Sequence, residues 1–177
     1  MQPAPGRLAA TFAVLLALGA AAAPAQTTDS TPAWLRWSRD TKTVTVELVA
    51  GAEGAKSPFN FNGYIDGEAT IVVPAASRVV MNFVNKDGTP HSAVVIADAD
   101  PMPNMSEDPA IPRAATRKAI EGLPQEATDT VRFTAPSARG SYRIFCGVPG
   151  HGLSGMWIRL AVSPDAAAAR VEVKRKG

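Results

Sequence analysis

Ser141-Tyr142-Arg143-Ile144-Phe145-Cys146-Gly147-Val148-Pro149-Gly150-His151-Gly152-Leu153-Ser154-Gly155-Met156 reads as a short strand running into a glycine-rich loop. Tyr142, Ile144 and Cys146 share one face by the period of two that a strand imposes. A second apolar run over 156–162 follows at once, which predicts two strands joined by a stiff, tight connection. Outward from this hairpin the same signals recur. Thr43-Val44-Thr45-Val46-Glu47-Leu48 alternates as a half-buried strand does, and 70–73, 78–84, 91–97 and 130–134 are further strand segments. Turn residues punctuate the gaps, as in Lys86-Asp87-Gly88-Thr89-Pro90. Seven to eight short strands separated in this way predict an all-β, Greek-key β-sandwich.

The loop also carries chemistry. Cys146, His151 and Met156 are spaced Cys-x4-His-x4-Met. Cys146 is the only cysteine and His151 one of two histidines; the other, His91, opens an apolar run after Thr89-Pro90. One thiolate, two imidazoles and a thioether are the ligands of a mononuclear type 1 (blue) copper centre, in which a His2Cys set takes a weak axial Met. Thiolate and thioether favour Cu(I), imidazole suits both oxidation states, and a rigid frame that satisfies both makes single-electron transfer fast. Taken singly, each residue has a plainer reading, as buried hydrophobe, core filler or turn. Their joint order and spacing favour copper.

Other chemistries fit less well. Zinc takes Cys and His but not thioether in its structural sites. A binuclear copper site needs a second cysteine, and a copper nitrite reductase needs further histidines; the chain has neither. A Cys–His thiol enzyme leaves Met156 and the glycine-rich loop unexplained. No enzymatic activity is therefore expected. A periplasmic copper-binding or copper-delivery protein is the alternative, but exposed Met and His clusters would suit it better than a closed His2CysMet set.

Arg7 followed by the uncharged apolar run 8–23 and Ala23-Pro24-Ala25 reads as a signal peptide over residues 1–25, cleaved before Gln26 or retained as an anchor. Sixteen apolar residues are short for a membrane span, which needs about 20. Export to the periplasm or the outer face of the cytoplasmic membrane follows, with membrane association only if the segment is uncleaved. Removing residues 1–25 takes away Arg7 and no acid, so 17 basic and 16 acidic side chains remain. That balance gives no basis for nucleic-acid binding. About 150 residues suit one domain with a real core, and a monomer. Residues 26–40 read as a polar lead-in, 41–163 as the domain and 164–177 as a tail with an edge-strand signal at Val171-Glu172-Val173. Residues 98–129 are a long insertion, a loop to Pro112 with two helical turns expected over 113–121. It reads first as a surface excursion whose apolar residues cover a sheet edge; its Met102 and Met105 are otherwise an alternative thioether or packing beside the metal.

Three motifs carry a family resemblance: Phe59-Asn60-Phe61-Asn62-Gly63, Pro90-His91-Ser92, and Cys146 through Trp157. Together they resemble the cupredoxins, above all the sulfocyanins, with rusticyanin and auracyanin as relatives. The likeness spans residues 58–163, and Tyr64-Ile65-Asp66 departs from the small polar residues usual after the first motif. It implies a blue-copper β-sandwich shuttling electrons among membrane-bound respiratory complexes, with a cytochrome, a terminal oxidase or another complex as partner. By position, His91, Cys146, His151 and Met156 match the family's copper ligands. Ser92 stands where a donor would bond towards the cysteine sulfur or pin the neighbouring loop. His151, amid small and apolar residues, is expected to present its ring edge to a partner.

Overall fold

The computed structural model describes Met1 and residues 27–174, so the segment read as a signal peptide lies, Met1 apart, outside the described residues. Ten strands are described: β1 (Thr27–Ser30), β2 (Leu35–Ser38), β3 (Thr43–Ala50), β4 (Ala69–Pro74), β5 (Arg78–Asn85), β6 (Val94–Ala97), β7 (Thr128–Thr134), β8 (Gly140–Phe145), β9 (Trp157–Ser163) and β10 (Arg170–Lys174). They form two sheets, ordered β1-β10-β4-β9-β8-β6 and β2-β3-β5-β7. Each sheet holds one parallel pair, β4 with β9 and β3 with β5, and is otherwise antiparallel.

The alternation of β3 sets the register of the second sheet. Val44, Val46, Leu48 and Ala50 point inward and are buried, while the residues between them are half-exposed. Val79, Met81 and Phe83 of β5 and Val131 and Phe133 of β7 join them. Ile71, Val73, Ile144, Ile158, Leu160, Val162 and Val171 close the core from the other sheet. Fully burying each large aliphatic or aromatic side chain here contributes about 1.5–3 kcal/mol.

The polar lead-in supplies β1 and β2, with Trp34 and Trp37 packed on the core. β10 is not an edge strand; it lies between β1 and β4. The helical turns expected over 113–121 do not form. Arg113 and Lys118 sit at positive φ (66° and 53°), which breaks an α-helical path. The segment's backbone bonds instead to β6 and the residues before it: the Val95 amide donates to Ala114, and those of Ala110 and Thr116 donate to Val95 and Ala93. The insertion thus covers the edge strand β6, and its Met102, Ala115 and Ala119 pack with Val94, Ile96, Phe145 and Trp157 in a second, smaller cluster. Arg143 on the same face is 5% exposed. Its charge is met by Asp98 (2.6 Å) and Asp100 (2.9 Å), and it stacks over Trp157 at 4.8 Å from the ring centroid.

Candidate metal centre

Cys146 follows β8 directly and Met156 precedes β9, so the ligand loop spans adjacent antiparallel strands. Its backbone is closed from within. Cys146 N–H donates to Met156 O (3.0 Å), Met156 N–H to His151 O (3.0 Å), and His151 N–H to Val148 O (3.2 Å). Gly147 and Gly152 are needed for space rather than for conformation. A Cβ on Gly147 would lie 2.3 Å from Ser106 O and 2.7 Å from Ala119 O, and one on Gly152 would lie 1.9 Å from the Phe145 ring.

His91 arrives from elsewhere, ahead of β6, paired with Leu123 through His91 N–H to Leu123 O (3.1 Å) and Leu123 N–H to His91 O (2.7 Å). The fold brings three donor atoms together. His91 Nδ1 and His151 Nδ1 are 3.2 Å apart, and Cys146 Sγ lies 3.5 Å from His151 Nδ1 and 4.0 Å from His91 Nδ1. The circumcentre of a triangle with those sides lies about 2.1 Å from each corner, which is bonding distance for imidazole nitrogen and slightly short for thiolate sulfur. The donor set and its size therefore fit one type 1 copper ion. Met156 is wholly buried beside the loop. Met102 turns to Arg143, 3.7 Å from Nη1, and Met105 is 49% exposed.

Ser92 does both things expected of it, with different groups. Its backbone N–H points to Cys146 Sγ at 3.5 Å. Its hydroxyl donates to Ala119 O (2.6 Å) and accepts from Gly147 N–H (2.9 Å), tying the insertion to the ligand loop. Burial pushes the Cys146 thiol above its ordinary pKa, opposed by hydrogen bonds from Ser92 and Val148. Both histidines are lowered, first by burial; the neighbouring charge of His91 lowers His151 further, while Asp87 opposes the shift on His91.

Two residues near the site carry no assigned role in the sequence reading. Phe59, in the first motif, sets its ring 4.6 Å from that of His151 and 6.2 Å from that of His91, covering both. Asp87, read only as part of a turn, places Oδ2 3.0 Å from His91 Nε2. Burial tends to raise the Asp87 carboxyl, but hydrogen bonds from His91 and the Gly88 amide hold it below its usual value. The available signal is its spacing, four residues before the histidine within a tight turn.

Two mixed sheets around one core, with a His–Cys–His cluster carried on the connections, define a cupredoxin, a class of electron-transfer proteins rather than enzymes. A rusticyanin variant superposes with a TM-score of 0.54 at 24% identity, covering 73% of this chain and 86% of its own. Auracyanin A of Chloroflexus aurantiacus, a blue copper protein, gives 0.50 at 23%, covering 68% and 99%. Those structures speak for the fold. The sulfocyanin of Sulfolobus acidocaldarius is 29% identical over 139 residues, 75% of this chain and 69% of that protein. Residues 30–171 match the Sulfocyanin (SoxE) domain, and the chain belongs to the sulfocyanin family of blue-copper electron-transfer proteins.

Proposed function

We propose that His91, Cys146 and His151 would hold one copper ion, with Met156 as a fourth, weak ligand. In this reading the chain is an exported monomer, periplasmic or at the outer face of the cytoplasmic membrane. It carries single electrons between membrane-bound or periplasmic redox partners, such as a cytochrome, a terminal oxidase or another respiratory complex. The observation that carries this reading is the convergence of three donor atoms, none more than 4.0 Å from another, from two separate segments of the chain. When bound, copper supplies a Cu(I)/Cu(II) couple whose potential depends on the axial ligand and on hydrogen bonding around the sulfur.

The protein's own part is positioning and insulation. The Ser92 amide, aimed at Sγ, draws charge from the thiolate and favours Cu(I). His91, Cys146 and Met156 are fully buried, whereas His151 is only half-buried. Of the four residues His151 is therefore the one nearest the surface, which supports it as the way in for electrons. Beside it, Leu153 is 59% exposed, and Met105 stands next to Asn104, whose carbonyl accepts from Gly150 N–H. An apolar rim of this kind favours weak, transient docking with modest salt dependence.

The test is a visible spectrum of the protein reconstituted with Cu(II), taken before and after ascorbate. An intense blue or green band that bleaches on reduction is expected. A colourless protein that retains copper would favour copper storage or delivery, and failure to bind copper would overturn the assignment.

A further inference from the structure

The two histidines are held differently. The Nδ1 of His91 faces the other donors, and its Nε2 lies 3.0 Å from Asp87 Oδ2, so with Nδ1 bound to a metal the Nε2 would carry the proton and donate to that carboxylate. His91 is wholly buried, and the Asp87 side chain is 23% exposed. The carboxylate is fixed from several sides. Asp87 N–H donates to Asn85 Oδ1 (2.9 Å), and Asn85 Nδ2 donates to Thr89 O (2.8 Å) and Leu123 O (2.9 Å). Leu123 O is the same atom that accepts from His91 N–H, so one buried amide orients both members of the pair. On the opposite side Gly51 lies so close that a Cβ there would be 2.3 Å from that of Asp87. The adjacent cation, Lys86, pairs with Glu126 at 2.6 Å. No carboxylate is paired with His151 among the described residues.

We propose that Asp87 is a positioning residue of the metal centre. It locks His91 in the tautomer that presents Nδ1, makes its ring a stronger donor, and so stabilises Cu(II) and lowers the reduction potential. A carboxylate on the far nitrogen of a ligating histidine raises its basicity, and losing such a partner typically costs about 10–100-fold in metal affinity. The inference rests on His91 being a ligand, as proposed above. It assigns the centre two opposed controls: the Ser92 amide on sulfur favours Cu(I), and the Asp87 carboxylate on imidazole favours Cu(II).

The test compares the wild type with Asp87→Asn and Glu126→Gln by spectroelectrochemistry. Asp87→Asn should keep the thiolate band and shift the Cu(II)/Cu(I) preference towards Cu(I) by up to about 100-fold, the limit in which the whole loss of affinity falls on Cu(II), a rise of up to about 118 mV for a one-electron couple. Glu126→Gln, which removes a nearby charge not bonded to His91, should leave the potential in place. An Asp87→Asn potential equal to the wild type overturns the proposal, as does an equal rise in Glu126→Gln. The second readout needs no metal: the ring-nitrogen shifts of His91 in copper-free protein. They should report the Nε2–H tautomer in the wild type and a mixture in Asp87→Ala, and an unchanged tautomer counts against the proposal. A wild type without a thiolate band would remove the copper reading instead, leaving the tautomer measurement to decide on Asp87.

Discussion

Replacing Asn60 by alanine tests why the Phe59-Asn60-Phe61-Asn62-Gly63 motif accompanies the site. Asn60 is wholly buried, and its amide closes the loop on itself. Nδ2 donates to Ser57 O (2.8 Å) and Ala52 O (3.2 Å), and Oδ1 accepts from Gly63 N–H (2.9 Å) and Ala52 N–H (3.1 Å). Each bond contributes a net of about 1 kcal/mol, and a stranded buried partner costs more. Ala52, Ser57 and Gly63 are only half-buried, so water recovers part of the loss. The expected destabilisation is about 3 kcal/mol, or roughly 6–12 °C in Tm for a chain of this size. Urea unfolding followed by the fluorescence of the three tryptophans measures it. Phe59, the residue before it, lies against His151, so the visible band should also broaden. A loss below about 1 kcal/mol would refute the reasoning for Asn60.

Met156→Leu should keep the thiolate band and raise the potential by about 60 mV or more, the equivalent of a tenfold preference for Cu(I); an unchanged potential in voltammetry would point to another axial group. Leu153→Asp should leave the spectrum alone and slow electron transfer to a cytochrome by about tenfold in stopped-flow mixing; unchanged rates would move the docking face elsewhere. Gly147→Ala forces a methyl against two backbone oxygens and should cost about 1–3 kcal/mol in urea unfolding, with a shifted spectrum because Ala119 O also accepts from Ser92. For pH, both histidines lie below their ordinary 6.5 in the folded protein, so the unfolded chain binds more protons under that value. The copper-free protein should therefore lose stability as pH falls through 6.5 and on towards the lower folded values. Thermal unfolding between about pH 8 and pH 5 checks it, and stability that rises on acidification would contradict it.

The strands that alternate were legible in the sequence. Residues 43–48, 78–84 and 130–134 fall within β3, β5 and β7, because each buries one face and the pattern reports that burial directly. β2 carries only Leu35 as a fully buried residue, too short a pattern to read, and β1 reads as polar throughout. The helix expected over 113–121 was a reading of local composition, and pairing of that backbone with β6 and the residues before it overrode it. At the site, the residue types and spacing of His91, Cys146 and His151 foretold a cluster that the fold assembles. The partners around them did not show. Asp87 reaches His91 only because of the turn at 87–90, and Ala119 acts through a carbonyl oxygen, which no side-chain pattern reveals.

The parallel pairing of β4 with β9 joins Thr70 to Arg159, and β1 with β10 joins Thr27 to Lys174. Contacts so distant along the chain make for slow folding, in the range of milliseconds to seconds for β-sandwiches. Cys146 is wholly buried in the folded chain and follows β8, which pairs with β9, so its shielding comes with folding. Until then it is an open thiol, subject in an oxidising medium to sulfenic acid formation and to mixed disulfides with any neighbour. The chain has no second cysteine with which to resolve such damage internally. Where the chain folds in an oxidising medium, the yield of intact thiol would therefore depend on folding rate as well as on the stability of the finished sandwich.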